Sequence, residues 1–517
     1  MKKSKISSIA LASALILVLC FTTLTCTTPQ AESTVPIPTV TGPIPVTATS
    51  RPFNPSGGTN FESLGYVEEE YFISGKANEY ELVAPDDTSS FAVKIRTPDL
   101  PYTTRMLVRR PADPKKFNGN VIVEFMNPTA NYDMASGWPC FNQYMMRNGD
   151  AWVGITCRGV TIRALKKFDP TRYEPLSLAK ERAQAWDIFT QVGALLKSKD
   201  KSNPLREFKV EYLYGHGYSQ TCSFLIAYIN FFHPLAKLGN GKYIYDGYLA
   251  AAAGGAIYIN DDDLKTADEK AMGFGGKLET DPRRVIQPSG VPVIHIMTET
   301  EIATPIKFFN AVPTRRPDSD TAPDLFRRYE IAGGCHVDIN GYIKWAPPVE
   351  DQSKAVGSAC PWCCAEPASN ISDFPQRYIW GGCLANLEKW VRTGTLPPKG
   401  NLIQVESGKI VRDEFGNAKG GLRSPWVDVP IKTYKPFSTI CPTCPPPDLC
   451  ATCSLWCYFL GNVVPFDEAK LEQLYSDHDG YVAKFNASAD KMFQNGFVTQ
   501  ADLEQMKSEA ADSDVLK

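Results

Sequence analysis

A serine at a glycine-hinged corner is the feature of this sequence best suited to chemistry. The residues from Tyr212 to Thr221 read YLYGHGYSQT, and the apolar run CSFLIAYINFF follows directly. A strand, a sharp turn and a helix in this order would hold the hydroxyl of Ser219 above a sheet, with helix amides pointing at a developing oxyanion. Gly215 and Gly217 suit the corner because a Cβ would obstruct the element that follows. Ser219 is therefore the candidate nucleophile.

A serine nucleophile needs a base, and the sequence contains five histidines. His336 lies in a glycine-rich loop just after a predicted strand, where an imidazole can reach a corner, and it is the favoured base. His478, between two aspartates near the C-terminus, is the alternative. His295 lies within an apolar strand and His233 follows two phenylalanines as a helix cap, so we expect structural roles for both. His216 lies in the corner and could support it.

A carboxylate should orient the base, and in one common chain order it falls between the serine and the histidine, after a strand. Glu301 fits this position, with Glu299 as its competitor. The oxyanion would be bound by the backbone N–H of Gln220 and by a second N–H from the loop Asn127–Asn131, with Asn127 as the candidate. The expected site is thus a nucleophile, a base, an acid and two amide donors.

The surrounding elements alternate between strands and helices. Buried parallel strands are predicted from five apolar runs: Asn120–Phe125, Trp152–Thr156, Gly247–Ala251, Val291–Met297 and Leu325–Ile331. Helices are predicted at Leu178–Leu196, Cys222–Phe232 and Tyr378–Val391. Antiparallel edge strands are predicted at Tyr66–Ile73, Phe91–Arg96 and Met106–Arg109. This order indicates an α/β fold, with a mostly parallel, doubly wound sheet and antiparallel strands at its N-terminal side.

The composition is that of an ordinary globular protein with a sizeable core. Hydrophobic residues make up 43% of the 517 residues, charged residues make up 21%, and the net charge is −3. This balance gives no electrostatic basis for binding nucleic acid, so we exclude that partner.

The N-terminus predicts export. Lysines within the first five residues precede the apolar run Ile9–Phe21, which is short for a membrane span. Residues 1–26 are therefore a predicted signal peptide. Leu24-Thr25-Cys26 resembles a lipoprotein processing site that would attach Cys26 to a membrane; cleavage near Ala31 and an uncleaved anchor are the alternatives. Residues 27–60, rich in Thr, Pro and Ser, are predicted to be a linker, and residues 61–517 the folded domain.

The chain resembles the α/β-hydrolase superfamily, and within it a bacterial branch of alpha/beta hydrolase domain-containing proteins. The similar stretches are spread over residues 62–510: Gly65–Phe72, Arg109–Asp113, Val123–Asn127, Phe168–Tyr173, Gly217–Thr221, Thr298–Glu301, Gly416–Pro425 and Val464–Phe466. The resemblance implies an α/β-hydrolase fold. A C-terminal insertion or lid region is also expected: the segment from Asn340 to about Phe374 is long, rich in cysteine and directly follows the histidine loop. It also implies Ser219 as nucleophile, His336 as base and an acid in the Glu299/Glu301 segment.

The sequence departs from the family pattern at three positions. Thr221 replaces a glycine two residues after the serine, so the helix must cross the strand with a bulkier residue in the contact. Cys222 also stands where a small glycine is expected. Glu301 stands where an aspartate is more usual, and a longer acid requires a displaced backbone.

Fifteen cysteines are the other unusual feature. They include two clusters, at residues 360–364 and 441–457. In an exported chain such clusters are expected to form disulfides. The alternative is a zinc or iron–sulfur centre, with ligands at Cys441, Cys444, Cys450 and Cys453, although the spacing between the two pairs is short for a zinc ribbon.

The sequence favours an exported serine hydrolase, extracellular or at the cell surface, that cleaves a small-molecule carboxylic ester through an acyl-enzyme and needs no cofactor. The alternative is a non-catalytic cell-surface binding protein that kept the scaffold, with the cysteine-rich segments as an interaction or metal module. The oligomeric state has no signal in the sequence.

Overall fold

The computed structural model describes residues 35–55, 59–255, 257, 259–260, 281–304, 309–339, 346–357, 370–439 and 459–517. Its strands are β1 Thr39–Thr41, β2 Tyr66–Leu82, β3 Val93–Pro111, β4 Asn120–Phe125, β5 Ala151–Ile155, β6 Ser177–Leu178, β7 Tyr212–Tyr218, β8 Gly247–Ala251, β9 Val293–Thr298, β10 Ser319–Thr321, β11 Asp324–Ile331, β12 Val405–Glu406, β13 Lys409–Ile410, β14 Lys432–Lys435 and β15 Asn462–Pro465.

Within these residues, an eleven-stranded mixed sheet has the order β1-β2-β3-β5-β4-β7-β8-β9-β11-β10, with β6 paired to β3. The run from β5 through β11 is parallel, whereas β1, β2 and β3 are antiparallel on one side and β10 is antiparallel on the other. The predicted doubly wound, mostly parallel sheet is confirmed. One part of the prediction was wrong: Phe91–Arg96 and Met106–Arg109 are not separate edge strands, because β3 begins within the first segment, at Val93, continues through the second and lies inside the sheet.

Helices cover both faces of the sheet. They are α1 Trp138–Asn148, α2 Gly159–Phe168, α3 Ala185–Lys197, α4 Gln220–Ala227, α5 Glu299–Ala303, α6 Val349–Val356, α7 Arg377–Thr393, α8 Pro425–Asp428, α9 Glu468–Tyr475, α10 His478–Gln494 and α11 Gln500–Asp512. One predicted boundary was wrong: the helix predicted from Leu178 begins at Ala185, and Leu178 pairs with β3 instead. The helix predicted at Cys222–Phe232 begins two residues earlier, as α4, and ends at Phe232 through a π-helical turn that starts at Tyr228.

β4 shows why the central strands are apolar along their whole length. Alternate residues of a strand face opposite sides of a sheet. Val123 and Phe125 belong to the core on the side of α3, where the Phe125 ring stacks on Phe189 with centroids 4.0 Å apart. Ile122 belongs to the core on the other side, with Trp138 of α1. Because both sides are covered, neither set of side chains can be polar without a partner.

Part of the predicted linker is folded. Thr39–Thr41 forms the edge strand β1 against β2, and Phe53 is buried against Tyr132 and Phe168. The segment is therefore not an extended tether at these residues. Its low charge fits this, because apolar and uncharged polar side chains can lie against the sheet edge.

Several predictions concern residues outside the described ranges. These include the signal peptide, both cysteine clusters and about half of the lid region, residues 340–345 and 358–369. Within the lid region, α6 is described, and Asp351 in it pairs with Arg51 at 2.7 Å. Among the helices of the described ranges, none is long and apolar enough to cross a membrane.

Candidate active site

The corner at Ser219 has a strained backbone. β7 ends and α4 begins on either side of Ser219, which has φ 56° and ψ −123°. A positive φ is costly for a residue with a Cβ, so the surroundings must hold it. The Ser219 N–H donates to the carbonyl of Ala251 at 2.9 Å. At Gly217 a Cβ would lie 2.2 Å from the backbone oxygen of Thr221, so only glycine fits there.

The two departures beside the serine are accommodated by hydrogen bonds. The hydroxyl of Thr221 accepts the N–H of Tyr218 at 3.1 Å and donates to the Tyr218 carbonyl at 3.0 Å. The side chain of Thr221 therefore makes two hydrogen bonds at the corner that a glycine could not make. Cys222 is fully buried, and its thiol donates to the carbonyl of Ala253 at 3.2 Å.

The structure brings Ser219, His336 and Glu301 together. Nε2 of His336 lies 2.8 Å from Oγ of Ser219, and Nδ1 lies 2.6 Å from Oε1 of Glu301. When Nδ1 carries the proton and donates to the carboxylate, Nε2 is free to accept the serine proton. The backbone of His336 is also held, since its N–H donates to the hydroxyl of Thr300 at 3.0 Å and its carbonyl accepts the hydroxyl of Tyr218.

Of the two candidate acids, Glu301 faces the imidazole and Glu299 does not. Glu301 is the third residue of α5, and its Oε2 accepts the N–H of Thr298 at 2.7 Å in a capping box. Glu299 accepts the N–H of Gly333 at 2.6 Å and pairs with Nη1 of Arg412 at 2.6 Å. Both carboxylates are buried. Desolvation raises the pKa of Glu299, and Arg412 and the Gly333 amide oppose that rise.

Aromatic rings enclose the imidazole. The rings of Phe309 and Phe459 have their centroids 4.9 Å and 4.5 Å from that of His336. His336 is only 3% exposed and Ser219 6%. An apolar wall around a polar relay lowers the local dielectric and strengthens its hydrogen bonds.

The remaining histidines lie elsewhere. His216, His233 and His295 are buried and each bonds a backbone carbonyl at 2.7–2.9 Å. Burial lowers the pKa of His216 and His233 to about 4 and that of His295 to about 3, so all three are neutral at physiological pH. His233 was predicted as a helix cap, but its ring is a core group stacked on Tyr243. His478 begins α10 and faces carbonyls near the C-terminus.

The oxyanion prediction needs one correction. Gln220 is the first residue of α4, and the first amides of a helix have no acceptor within it. The N–H of Asn127 is not available, because it donates to the carbonyl of Met134 at 2.8 Å in a short β-bridge. The side chain of Asn127 instead donates to the carbonyl of Tyr218 at 2.8 Å and ties the loop to the corner.

The cysteines in the described ranges are buried free thiols: Cys140, Cys157, Cys222, Cys335 and Cys383. Both predicted clusters lie outside those ranges, so their disulfides and the alternative metal centre stay predictions. Among the described side chains, no group of three or more His, Cys, Asp or Glu residues could hold a metal ion.

Mostly parallel strands, helices on both faces and a serine at a strand-to-helix corner define an α/β-hydrolase architecture. A family model described as the alpha/beta hydrolase domain matches residues 40–508, and the chain belongs to that family. No curated protein is significantly similar to the chain.

Solved structures of esterases show a weaker likeness. Esterase Est22 is 13% identical, with 46% of this chain and 66% of Est22 covered and a TM-score of 0.27. An esterase from Rhizomucor miehei is 9% identical, with 64% and 85% covered and a TM-score of 0.29. An esterase from Pyrobaculum calidifontis is 14% identical, with 38% and 63% covered and a TM-score of 0.23. This chain thus spans just under two thirds of Est22, and such scores support no argument about substrate.

Proposed function

We propose that this α/β-hydrolase is an exported serine hydrolase that cleaves carboxylic esters. The observation that carries the proposal is the continuous hydrogen-bond chain from Ser219 Oγ through the His336 imidazole to the Glu301 carboxylate. Such a chain removes the serine proton as the nucleophile attacks, and it stabilises the imidazolium that forms. The export signal is the charged and apolar N-terminus of the sequence.

The first half of the reaction forms the acyl-enzyme. Oγ of Ser219 attacks the ester carbonyl carbon while Nε2 of His336 takes the hydroxyl proton, which leaves a tetrahedral oxyanion. As the C–O bond to the alcohol breaks, His336 returns the proton to the departing alkoxide. In the second half, His336 takes a proton from water, the hydroxide attacks the acyl carbon, and the proton passes to Ser219 as the carboxylic acid leaves.

The oxyanion would be bound by the N–H of Gln220 and one amide of the loop after β4. In this described loop the amides of Asn127, Thr129 and Asn131 already donate to oxygens of the loop or of its bridge partner. Residue 128 is a proline, so we assign Ala130 as the second donor. Thr129 Oγ1 lies 3.3 Å from Oε1 of Gln220, which places the loop beside the corner. Losing one such donor typically costs about 2.7–4 kcal/mol of barrier.

The test is the Ser219→Ala variant. We expect it to abolish hydrolysis of a p-nitrophenyl ester. Among the described residues, the hydroxyl of Ser219 is the group that hydrogen-bonds Nε2 of His336. Its thermal midpoint should stay within a few degrees of the wild type, because only one hydroxyl is lost. Full ester hydrolysis by the variant would contradict the proposal.

A fluorophosphonate label separates this proposal from a non-catalytic binding protein on the same scaffold. An activated serine should be labelled at Ser219 in the wild type and left unlabelled in Ser219→Ala. Failure of the wild-type serine to react, in a protein shown to be folded, would favour the binding protein.

A further inference from the structure

The loop that carries the proposed base is fixed by the first turn of a neighbouring helix. This base loop, residues 332–336, follows β11 and contains two consecutive glycines. Glu299 in α5 holds it twice: its backbone N–H donates to the carbonyl of Gly334 at 3.1 Å, and its Oε1 accepts the N–H of Gly333 at 2.6 Å. Thr300 holds it a third time through the N–H of His336.

The backbone conformation of Gly333 explains why the base loop needs these contacts. It has φ +79°, a conformation open to glycine but not to most other residues, and a Cβ there would lie 2.7 Å from a methyl group of Val427. A loop built on Gly333 and Gly334 has little torsional stiffness of its own. The position of the imidazole therefore depends on external contacts, and Glu299 supplies the charged one.

One cation pairs directly with the carboxyl group of Glu299. Its carboxylate is 1% exposed, and Oε2 lies 2.6 Å from Nη1 of Arg412, whose side chain is 31% exposed. Arg412 lies in the polypeptide after α7, far along the chain from α5. A second cation, Arg423, also faces Glu299, but it is bound to Asp413 at 2.9 Å and Asp428 at 2.6 Å. The other carboxylate of α5, Glu301, is committed to His336.

We propose that Arg412 and Glu299 are positioning residues of the hydrolase: Arg412 keeps the buried Glu299 ionised, and the ionised carboxylate fixes the loop that holds His336 against Ser219. This inference rests on the proposed function. An ionised carboxylate accepts an amide proton about twice as strongly as a neutral one. Burial raises the pKa of Glu299 even with Arg412 present, so removal of the guanidinium raises it further.

The experiment compares wild type, Arg412→Met, Glu299→Gln and the double variant in ester hydrolysis across pH. In Arg412→Met the pKa of Glu299 rises further, so its carboxyl stays protonated to a higher pH; where the protonated form predominates, kcat should fall by about tenfold, as expected for a misplaced catalytic group. KM should change little, because neither residue contacts the proposed reacting atoms. Raising the pH ionises Glu299, so kcat of Arg412→Met should recover. A plot of kcat against pH should therefore show an additional rise that the wild type lacks.

The glutamine variants are the matched controls. The oxygen of a glutamine side chain can still accept the Gly333 N–H, but the side chain cannot ionise. The additional rise of kcat with pH should therefore be absent in the double variant. Arg412→Lys should restore much of the neutral-pH activity, because an ammonium also supplies the countercharge. If Arg412 and Glu299 had a merely structural role, their substitution would lower activity equally at all pH values. Arg412→Met and the double variant would then have pH profiles of the same shape.

Urea unfolding of the same proteins across pH gives a reading that needs no substrate. The stability difference between Arg412→Met and the double variant should vary with pH, because only the single variant titrates at residue 299. A wild-type pH profile in an active Arg412→Met would overturn the positioning role and leave the proposed function intact. A wild type that hydrolyses no ester would overturn both.

Discussion

Two carboxyl groups meet in the core at the amino end of the parallel strands, opposite the Ser219 corner. Asp150 directly precedes β5 and Glu388 lies on α7, and both side chains are buried. The amide of Asn148 donates to Oδ1 of Asp150 at 3.0 Å and to Oε2 of Glu388 at 3.1 Å, so the two carboxyls are neighbours. Tyr144 also donates to Oε2 of Glu388 at 2.7 Å.

One oxygen of each carboxyl, Asp150 Oδ2 and Glu388 Oε1, is buried without a donor. Desolvation and the charge of the neighbouring Asp150 raise the pKa of Glu388 well above its usual range. Two carboxylates can hydrogen-bond only if they share a proton, because ionised oxygens are acceptors. We therefore expect one proton between Asp150 and Glu388 in the folded protein.

The size of the effect follows from Asp150. Desolvation, the largest cause, raises its pKa from 3.8 to about 6. In the unfolded chain the group loses its proton near pH 4, whereas in the folded protein it keeps the proton to about pH 6. The folded state thus binds more protons in this interval, and its stability falls as pH rises through it. Two pKa units correspond to about 3 kcal/mol.

The perturbation is Asp150→Asn. An asparagine can keep its oxygen towards Asn120 and Asn148 and turn its amide towards Glu388, so an N–H replaces the shared proton. Because only the wild type titrates at residue 150, urea unfolding at pH 4.5 and pH 8 should show the variant gaining about 2 kcal/mol on the wild type at the higher pH, since pH 4.5 already lies above the pKa of the unfolded group. Glu472→Gln, at an exposed position on α9, is the control and should show no such gain. A variant that loses stability in parallel with the wild type would refute the shared proton.

Two further predictions concern the proposed active site. Gly217→Ala should destabilise the fold by about 1–3 kcal/mol and stop fluorophosphonate labelling, because its Cβ would meet the backbone of Thr221. Urea unfolding measures the change in stability. Gly241→Asn is the control, because nothing lies within 4 Å of a Cβ at that position. Unchanged stability in Gly217→Ala would contradict the close approach. Glu301→Gln should lower kcat for ester hydrolysis by about 10⁴-fold, since the imidazolium loses its charged partner, and a loss below tenfold would exclude Glu301 as the triad acid.

The sequence predicted the parts of the fold that follow from local patterns. Apolar runs identified the parallel strands, and the order of strands and helices indicated the sheet. β3 was missed as a single strand because its middle contains Pro98 and Pro101, which usually interrupt strands. The strand continues because β2 shifts register between Ala77 and Tyr80 and Asp99 takes a positive φ, which absorbs the irregularity.

The candidate site divides in the same way. Residue types and their places after strands were enough to select Ser219, His336 and the Glu299/Glu301 segment, whose catalytic roles remain predictions. The Asn127 amide was chosen from its position in the loop, but its bridge to Met134 depends on a backbone turn that no residue type signals. Contacts across long stretches of chain, such as Arg412 with Glu299, leave no local pattern and could not be predicted.

The choice of glutamate at position 301 follows from where the proposed acid lies. An aspartate at a strand end reaches a histidine directly, but here the strand β9 has ended at Thr298 and the acid lies in the first turn of α5. From there the carboxylate must do two things: Oε2 accepts the N–H and hydroxyl of Thr298, and Oε1 accepts from His336. The contact with Thr298 fixes the start of the helix and orients the carboxylate. In that orientation Oε1 lies within hydrogen-bond distance of His336. A side chain one methylene shorter could satisfy one contact only by giving up the other, so the helical position of the acid and its length are one feature of this site.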